Sequence, residues 1–229
     1  MKIIARIRTD FPGKFGIPRQ SGLVESLRGT IVFEPEYRNP QALRGLEEFS
    51  HIWLLWQFSK SKKEHWSATV KPPRLGGKKR IGVFATRSPY RPNDIGLSCV
   101  RLTGLGLDEK EGPVIYVAGA DLMDQTPIYD IKPYIPFTDC HPEAREGYTS
   151  QTLGHGLEVD FPEELLERYS EEKREAVVGV LAQDPRPAYV QDPERVYGVT
   201  FGGFDVKFRV TGKRLTVCDV TDVPFLEKQ

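Results

Sequence analysis

Cysteine is scarce in this chain. Three residues, Cys99, Cys140 and Cys218, lie far apart among 229. No CxxC pair occurs, so neither a disulfide framework nor a cysteine-built metal site is supported, and no metal is expected. Long apolar runs are also missing. The opening MKIIARIRTDF returns to charge within a few residues at each step. The expectation is a cytoplasmic protein with no leader and no membrane anchor. Net charge is absent too, with 32 basic and 32 acidic side chains in balance. That argues against a protein that coats nucleic acid nonspecifically, although a local basic face would suffice for RNA. Finally, no GxGxxG follows a strand, and β and α segments do not alternate, which argues against a Rossmann-type nucleotide domain. The GGKKR run at 76–80 has the wrong spacing for a phosphate-binding loop, and no Ser or Thr follows its lysine.

What is present reads mainly as β-structure. Strand patterns occupy Lys2 to Thr9, Leu27 to Glu34, His51 to Phe58, Ile81 to Ala85, Ser98 to Gly106 and Pro113 to Gly119. Asn39-Pro40 opens one helix, with Ala42, Leu43, Leu46 and Phe49 on a single face. His51, at a strand edge, is read as structural. A closed or nearly closed β-barrel fits this pattern best. Residues 141–157 are polar and glycine-containing, as in a linker or lid. Beyond them, Pro162 starts a short helix and Ser170 caps another that carries Ala176, Val177, Val180 and Leu181. Three antiparallel strands at 197–200, 204–210 and 215–220 complete a small α+β unit. The expected domains are therefore 1–150 and 151–229.

Four loops carry chemistry. The stretch GVFATRSPYRPNDIGLS, Gly82 to Ser98, places Arg87 and Arg91 on a segment stiffened by Pro89 and Pro92. Two guanidiniums on a rigid loop suit a planar or anionic ligand, and solvated arginines are the plainer alternative. In residues 11–24, Arg19 and Gln20 offer the donors and acceptor that an adenine edge or an amino-acid carboxylate requires; a solvated loop fits equally well. Residues 59–80 hold six lysines with Arg74, Arg80 and Trp66. Basic residues with an interleaved aromatic suit the phosphates and splayed bases of an RNA loop. In residues 119–137, Asp121, Asp124, Asp130 and Lys132 lie close together, with no His or Cys to complete a metal set. A carboxylate there could take a ribose hydroxyl or an ammonium, or simply cap a turn.

Two of these loops, with PRQSGL at 18–23 and QDPRPAY at 183–189, resemble the motifs of the TsaA-like family. ATRSPYRPNDIGLS is similar to that family's ATRSPxRPNPIGLS, with Asp94 in place of proline. DLMDQTPIYDIKPYIP is similar to its DLxDGTPVLDIKPYxP, with Gln125 in place of glycine. The resemblance implies an S-adenosyl-L-methionine-binding, non-Rossmann β-barrel with a small C-terminal α+β domain that assists tRNA binding, assembled as a homodimer with each site near the interface. Bacterial members are TrmO-type tRNA (adenine(37)-N6)-methyltransferases, which methylate N6 of threonylcarbamoyl-adenosine beside the anticodon. The resemblance assigns cofactor contacts to Pro18, Arg19, Gln20, Ser59, Lys60, Arg87, Leu97, Asp124, Gln125, Thr126 and Pro127.

The reaction so implied is in-line methyl transfer from a sulfonium to nitrogen, in which alignment supplies much of the acceleration. The acceptor nitrogen is urea-like and a poor nucleophile, so a proton-accepting group would help. Asp130 is the candidate, oriented by Lys132. Arg91 and Asn93, with Tyr134, Arg74 and Arg186, are expected on the side of the tRNA anticodon loop. The alternative from another class is a non-catalytic barrel that binds S-adenosyl-L-methionine or RNA. Methylation of a small molecule is disfavoured by the basic segment and the C-terminal unit.

Overall fold

A computed structural model describes residues 1–61, 65–72, 75, 79–152, 156–186 and 192–223. Its first unit is a sheet that closes on itself. Six strands, β1 (Ala5–Arg8), β2 (Arg28–Phe33), β3 (His51–Gln57), β6 (Ile95–Asp108), β7 (Gly112–Ala118) and β8 (Thr126–Pro133), pair in the order β1-β2-β7-β6-β3-β8. The ring shuts where Ala5 and Ile7 of β1 lie opposite Ile128 and Thr126 of β8. Alternation decides what faces inward. In β3, Ile52, Leu54 and Trp56 are buried while their neighbours are half-exposed; in β6 the buried set is Gly96, Ser98 and Val100. Ile7, Ile31, Ile115 and Ile128 fill the interior from the other strands.

A two-stranded hairpin, β4 (Thr69–Val70) and β5 (Ile81–Gly82), lies outside the ring. Here the expected strand at 81–85 is cut short. After Gly82 the chain turns through a 3₁₀ segment, Val83–Ala85, and buries Val83 as an anchor. The expected helix after Asn39 is also corrected. Asn39 does cap, its side chain accepting the Gln41 N–H at 3.0 Å. The helical spacing is nevertheless split into two 3₁₀ turns, Pro40–Leu43 and Leu46–Glu48, because Gly45 adopts φ 86° between them. Leu43 and Leu46 still pack on the barrel core. The proline-rich 119–137 stretch contains the closing strand β8, whose prolines at 127 and 133 sit near its ends.

The second unit stacks a helix on a sheet. β9 (Glu158–Asp160), β10 (Tyr197–Phe201), β11 (Phe204–Thr211) and β12 (Arg214–Asp222) pair in the order β10-β11-β12-β9, with β9 parallel to β12. Two short helices, α1 (Pro136–Asp139) and α2 (Glu163–Leu166), precede α3 (Glu171–Ala182). Ala176, Val177, Val180 and Leu181 of α3 lie against the sheet, the face read from the sequence. Ser170 stands at the N-terminus of α3 without a side-chain capping bond.

The segment leaving β1 belongs to this second core. Phe11, Val24 and Leu27 are buried in it, and Phe11 meets Phe201 edge-on at 5.2 Å. The Asp10 carboxylate takes Lys173 at 2.5 Å, and its carbonyl accepts the Gly202 N–H at 3.0 Å. Residues 10–27 therefore form a wedge that joins the two units. Phe11→Ala is expected to cost about 3–5 kcal/mol, the usual range for emptying a buried aromatic site. Urea unfolding followed by circular dichroism measures it.

Candidate functional site

A cleft of about 940 Å³ opens at one end of the barrel. Its floor is formed where β3 ends and β6 begins: Trp56 and Phe58 lie with ring centroids 4.3 Å apart, beside Ile95, Gly96 and Leu97. Three loops roof it, at 17–20, 59–61 and 86–91, together with the hairpin residues 67–72. Mixed apolar floor and polar rim are what small-ligand sites offer.

The loops are fixed by one another. The Arg87 guanidinium donates to the Gln20 side-chain oxygen, and the Gln20 amide donates to the Arg19 carbonyl. The 82–94 loop is laced internally: Thr86 Oγ1 donates to the Val83 carbonyl at 2.9 Å, and Arg91 Nη1 donates to the Thr86 carbonyl at 2.6 Å. Part of the Arg91 guanidinium thus holds its own loop while the side chain still lines the cleft. Asp94 compensates for the missing proline, since its carboxylate accepts from Gln57 Nε2 at 3.0 Å and its carbonyl from the Phe58 N–H at 2.9 Å.

Beneath the loops runs a relay that the sequence did not single out. Trp56 Nε1 donates to Ser98 Oγ at 3.0 Å, and Ser98 Oγ donates to Asp121 Oδ1 at 2.6 Å. Ser98 is a polar side chain inside the barrel, 1% exposed. The indole can only donate, so the serine proton goes to the carboxylate. Burial pushes the Asp121 carboxyl above the usual carboxylate range; the Ser98 hydroxyl, the Arg87 charge and the Ser21 amide pull it partly back. Among the described residues on the cleft wall, Asp121 is the only carboxylate; Arg19, Lys60, Arg80, Arg87 and Arg91 line the same cleft, and Arg87 is the charge that bears on it. The signal available in the sequence was Ser98 at an inward strand position, where a buried hydroxyl needs a partner.

The structure brings Pro18, Arg19, Gln20, Ser59, Lys60, Arg87, Arg91, Leu97 and Thr126 to this cleft. It places others elsewhere. Asp124 accepts the Thr9 N–H at 3.1 Å and is not among the residues lining the cleft. Gln125 keeps the turn by adopting φ 62°, its N–H bonded to the Ile7 carbonyl at 2.8 Å. Pro127 is buried in β8 opposite Arg6. Asp130 and Lys132 pair at 3.2 Å on the outer barrel wall, opposite Leu55 and Trp53. Tyr134 packs on Trp53, centroids 5.7 Å apart, by the far end of β3. Asn93 is exposed and off the cleft wall. Arg186 forks onto Asp184 at 2.7 and 2.8 Å. Arg74 lies outside the described residues.

Comparison with known proteins covers both units. A model of the tRNA-methyltransferase O N-terminal domain matches residues 6–140, and one of the TrmO C-terminal domain matches 155–223. The chain is 41% identical to the tRNA (adenine(37)-N6)-methyltransferase of Escherichia coli, over 91% of this chain and 92% of that one. It is also 41% identical to a Pseudomonas aeruginosa protein named a putative S-adenosylmethionine-dependent methyltransferase, RcsF, over 89% of each. The crystal structure of TrmO from Pseudomonas aeruginosa superposes with a TM-score of 0.75 at 35% identity, covering 95% of this chain and 96% of that one.

Two backbone positions test the geometry. A Cβ on Gly96 would stand 2.3 Å from the Trp56 indole. Gly96→Ala is expected to displace that ring and cost about 1–3 kcal/mol in a denaturant titration. Gln125→Gly removes a left-handed side-chain penalty of about 1–2 kcal/mol, partly offset by added freedom in the unfolded chain. The expected result is a slightly raised melting temperature.

Proposed function

The chain belongs to the tRNA-methyltransferase O family, and from that membership we propose that it moves the methyl group of S-adenosyl-L-methionine to N6 of N6-threonylcarbamoyl-adenosine at position 37 of tRNA. The family makes it a tRNA adenine-N6 methyltransferase. One observation carries the finer reading. The cleft joins an aromatic floor to a cationic rim, with a single carboxylate, Asp121, among the described residues that line it.

The residues suit such a donor. Trp56, Phe58 and Leu97 give apolar surface for an adenine ring and a thioether. Arg19, Gln20 and Arg87, locked together, offer donors to a carboxylate or a base edge. When bound, the donor supplies an activated methyl on a positive sulfur. The chain's part is to exclude water, to align donor with acceptor and to receive the acceptor's proton.

The RNA side is the rim. Trp66 and Phe84 stack at 6.2 Å, 53% and 72% exposed, and the Arg91 guanidinium sits 5.9 Å over the Phe84 ring. Exposed rings beside cations are a platform for unstacked bases of an anticodon loop, and Lys79 and Arg80 lie close by in sequence for its phosphates. Arg91, Asn93 and Arg74 are assigned to this side. In this reading residues 1–150 perform the transfer and 151–229 hold more of the tRNA, in the cytoplasm. A homodimer is part of the proposal. Asp130 and Lys132, on the outer wall, serve catalysis only if a second copy presents them to the neighbouring cleft.

Labelled S-adenosyl-L-methionine with tRNA carrying threonylcarbamoyl-adenosine, with tRNA lacking it, and without RNA decides the reading. Label is expected only in the first. Binding of the donor with no transfer in any mixture would instead favour a binding module. Trp66→Ala is expected to lose about 1–3 kcal/mol of stacking, read as a roughly fivefold to hundredfold rise in KM for tRNA with kcat little changed.

A further inference from the structure

We propose that Asp121 is the group that accepts the N6 proton during methyl transfer, with Ser98 and Trp56 as its positioning residues. The inference rests on the reading of the cleft given above. Among the described residues lining the cleft, Asp121 alone carries a carboxylate. Its position is fixed from behind by the two successive bonds from Trp56 and Ser98, both on strands of the barrel. Asp121 itself lies in the loop between β7 and β8, so these two strand-borne side chains are what hold its aim.

The chemistry balances. The N6 nitrogen forms a bond to the methyl carbon, and the carbon–sulfur bond breaks with its electron pair left on sulfur. The N6 proton passes to the Asp121 carboxylate. A positive donor and a negative carboxylate become a neutral thioether and a neutral carboxylic acid. The N6 proton becomes strongly acidic as the new bond forms, so a carboxylate is basic enough to take it.

The surroundings suit this role. The charged group facing Asp121 is Arg87, and the neutral donors are the Ser98 hydroxyl and the Ser21 amide. Burial already favours the protonated carboxyl, so taking a proton relieves a cost that an exposed aspartate does not bear. The outer-wall pair of Asp130 and Lys132 lacks that setting, with both side chains about half exposed or more.

The test uses the full chain, modified tRNA and labelled donor. Asp121→Asn is expected to lower kcat at least about a hundredfold, with donor affinity by calorimetry and melting temperature held near wild type. Ser98→Ala removes a bond that stabilises the ionised form, so the acid limb of the kcat–pH profile should move to higher pH. A merely structural Ser98 would leave that limb in place. Wild-type turnover in Asp121→Asn overturns the inference, as does loss of donor binding with kcat retained at saturation. A large kcat loss in Asp130→Asn alone would give the role to Asp130. If the wild type itself fails to label modified tRNA, the proposed function fails, and this inference falls with it.

Discussion

The shortest strand of the ring, β1, bears the most. Its four residues pair with β2 and three of them also with β8, and without both ladders the sheet would have two open edges. Closure fixes where the chain goes next. Beyond Arg8 it is held by Asp124, which accepts the Thr9 N–H and whose own N–H bonds the Phe11 carbonyl. Phe11 then enters the second core, and the segment returns over the barrel mouth with Pro18, Arg19 and Gln20. The loop that roofs the cleft is therefore tied at both ends by packing. Its irregular backbone is a consequence of position, and its rigidity comes from the two cores it joins.

Charge tells a similar story of placement over amount. The chain as a whole is neutral, yet the described residues of the cleft wall include several cations and one carboxylate. A neutral total keeps long-range attraction for nucleic acid weak, while a concentrated patch still attracts phosphate within a screening length. The half-buried carboxylate of Asp121 costs the fold some stability when ionised. Because its folded-state pKa lies above the unfolded one, the stability it lends is present below the unfolded value and is lost as pH rises through the folded value. A carboxylate so shifted by burial, set on the wall of a cleft, is a group whose cost to the fold is consistent with a use in the site.

Much of this was legible in the residues. Alternation revealed five of the six barrel strands, because inward and outward positions differ sharply in strands such as β3 and β6. Prolines and paired arginines marked the roofing loops, since rigid backbone and planar donors are visible as letters. Other features depended on distance in the chain. Gly45 broke a helix that apolar spacing alone would have continued. The prolines of 119–137 disguised β8, which exists because β1 and β3 supply its partners. The Trp56–Ser98–Asp121 relay joins residues on three separate segments, so no local pattern could display it. The sequence singled out Asp130 over Asp121 as the base, and only the structure shows that Asp130 lies on the outer wall of β8 while Asp121 lines the cleft.

The two substitutions in the motifs show that the site is specified by shape more than by letters. Proline at position 94 would fix φ and give no side-chain bond; Asp94 leaves φ free but ties the start of β6 to the end of β3 through Gln57. One kind of rigidity has replaced another at the same corner of the cleft. At 125 the reverse holds. Gln125 accepts the left-handed backbone that glycine would adopt without strain, because its N–H must still reach the Ile7 carbonyl and its neighbour must still receive Thr9. Those bonds belong to the β1–β8 closure. The turn cannot relax without opening the ring, so the strain is held there by the same ladder that positions the cleft.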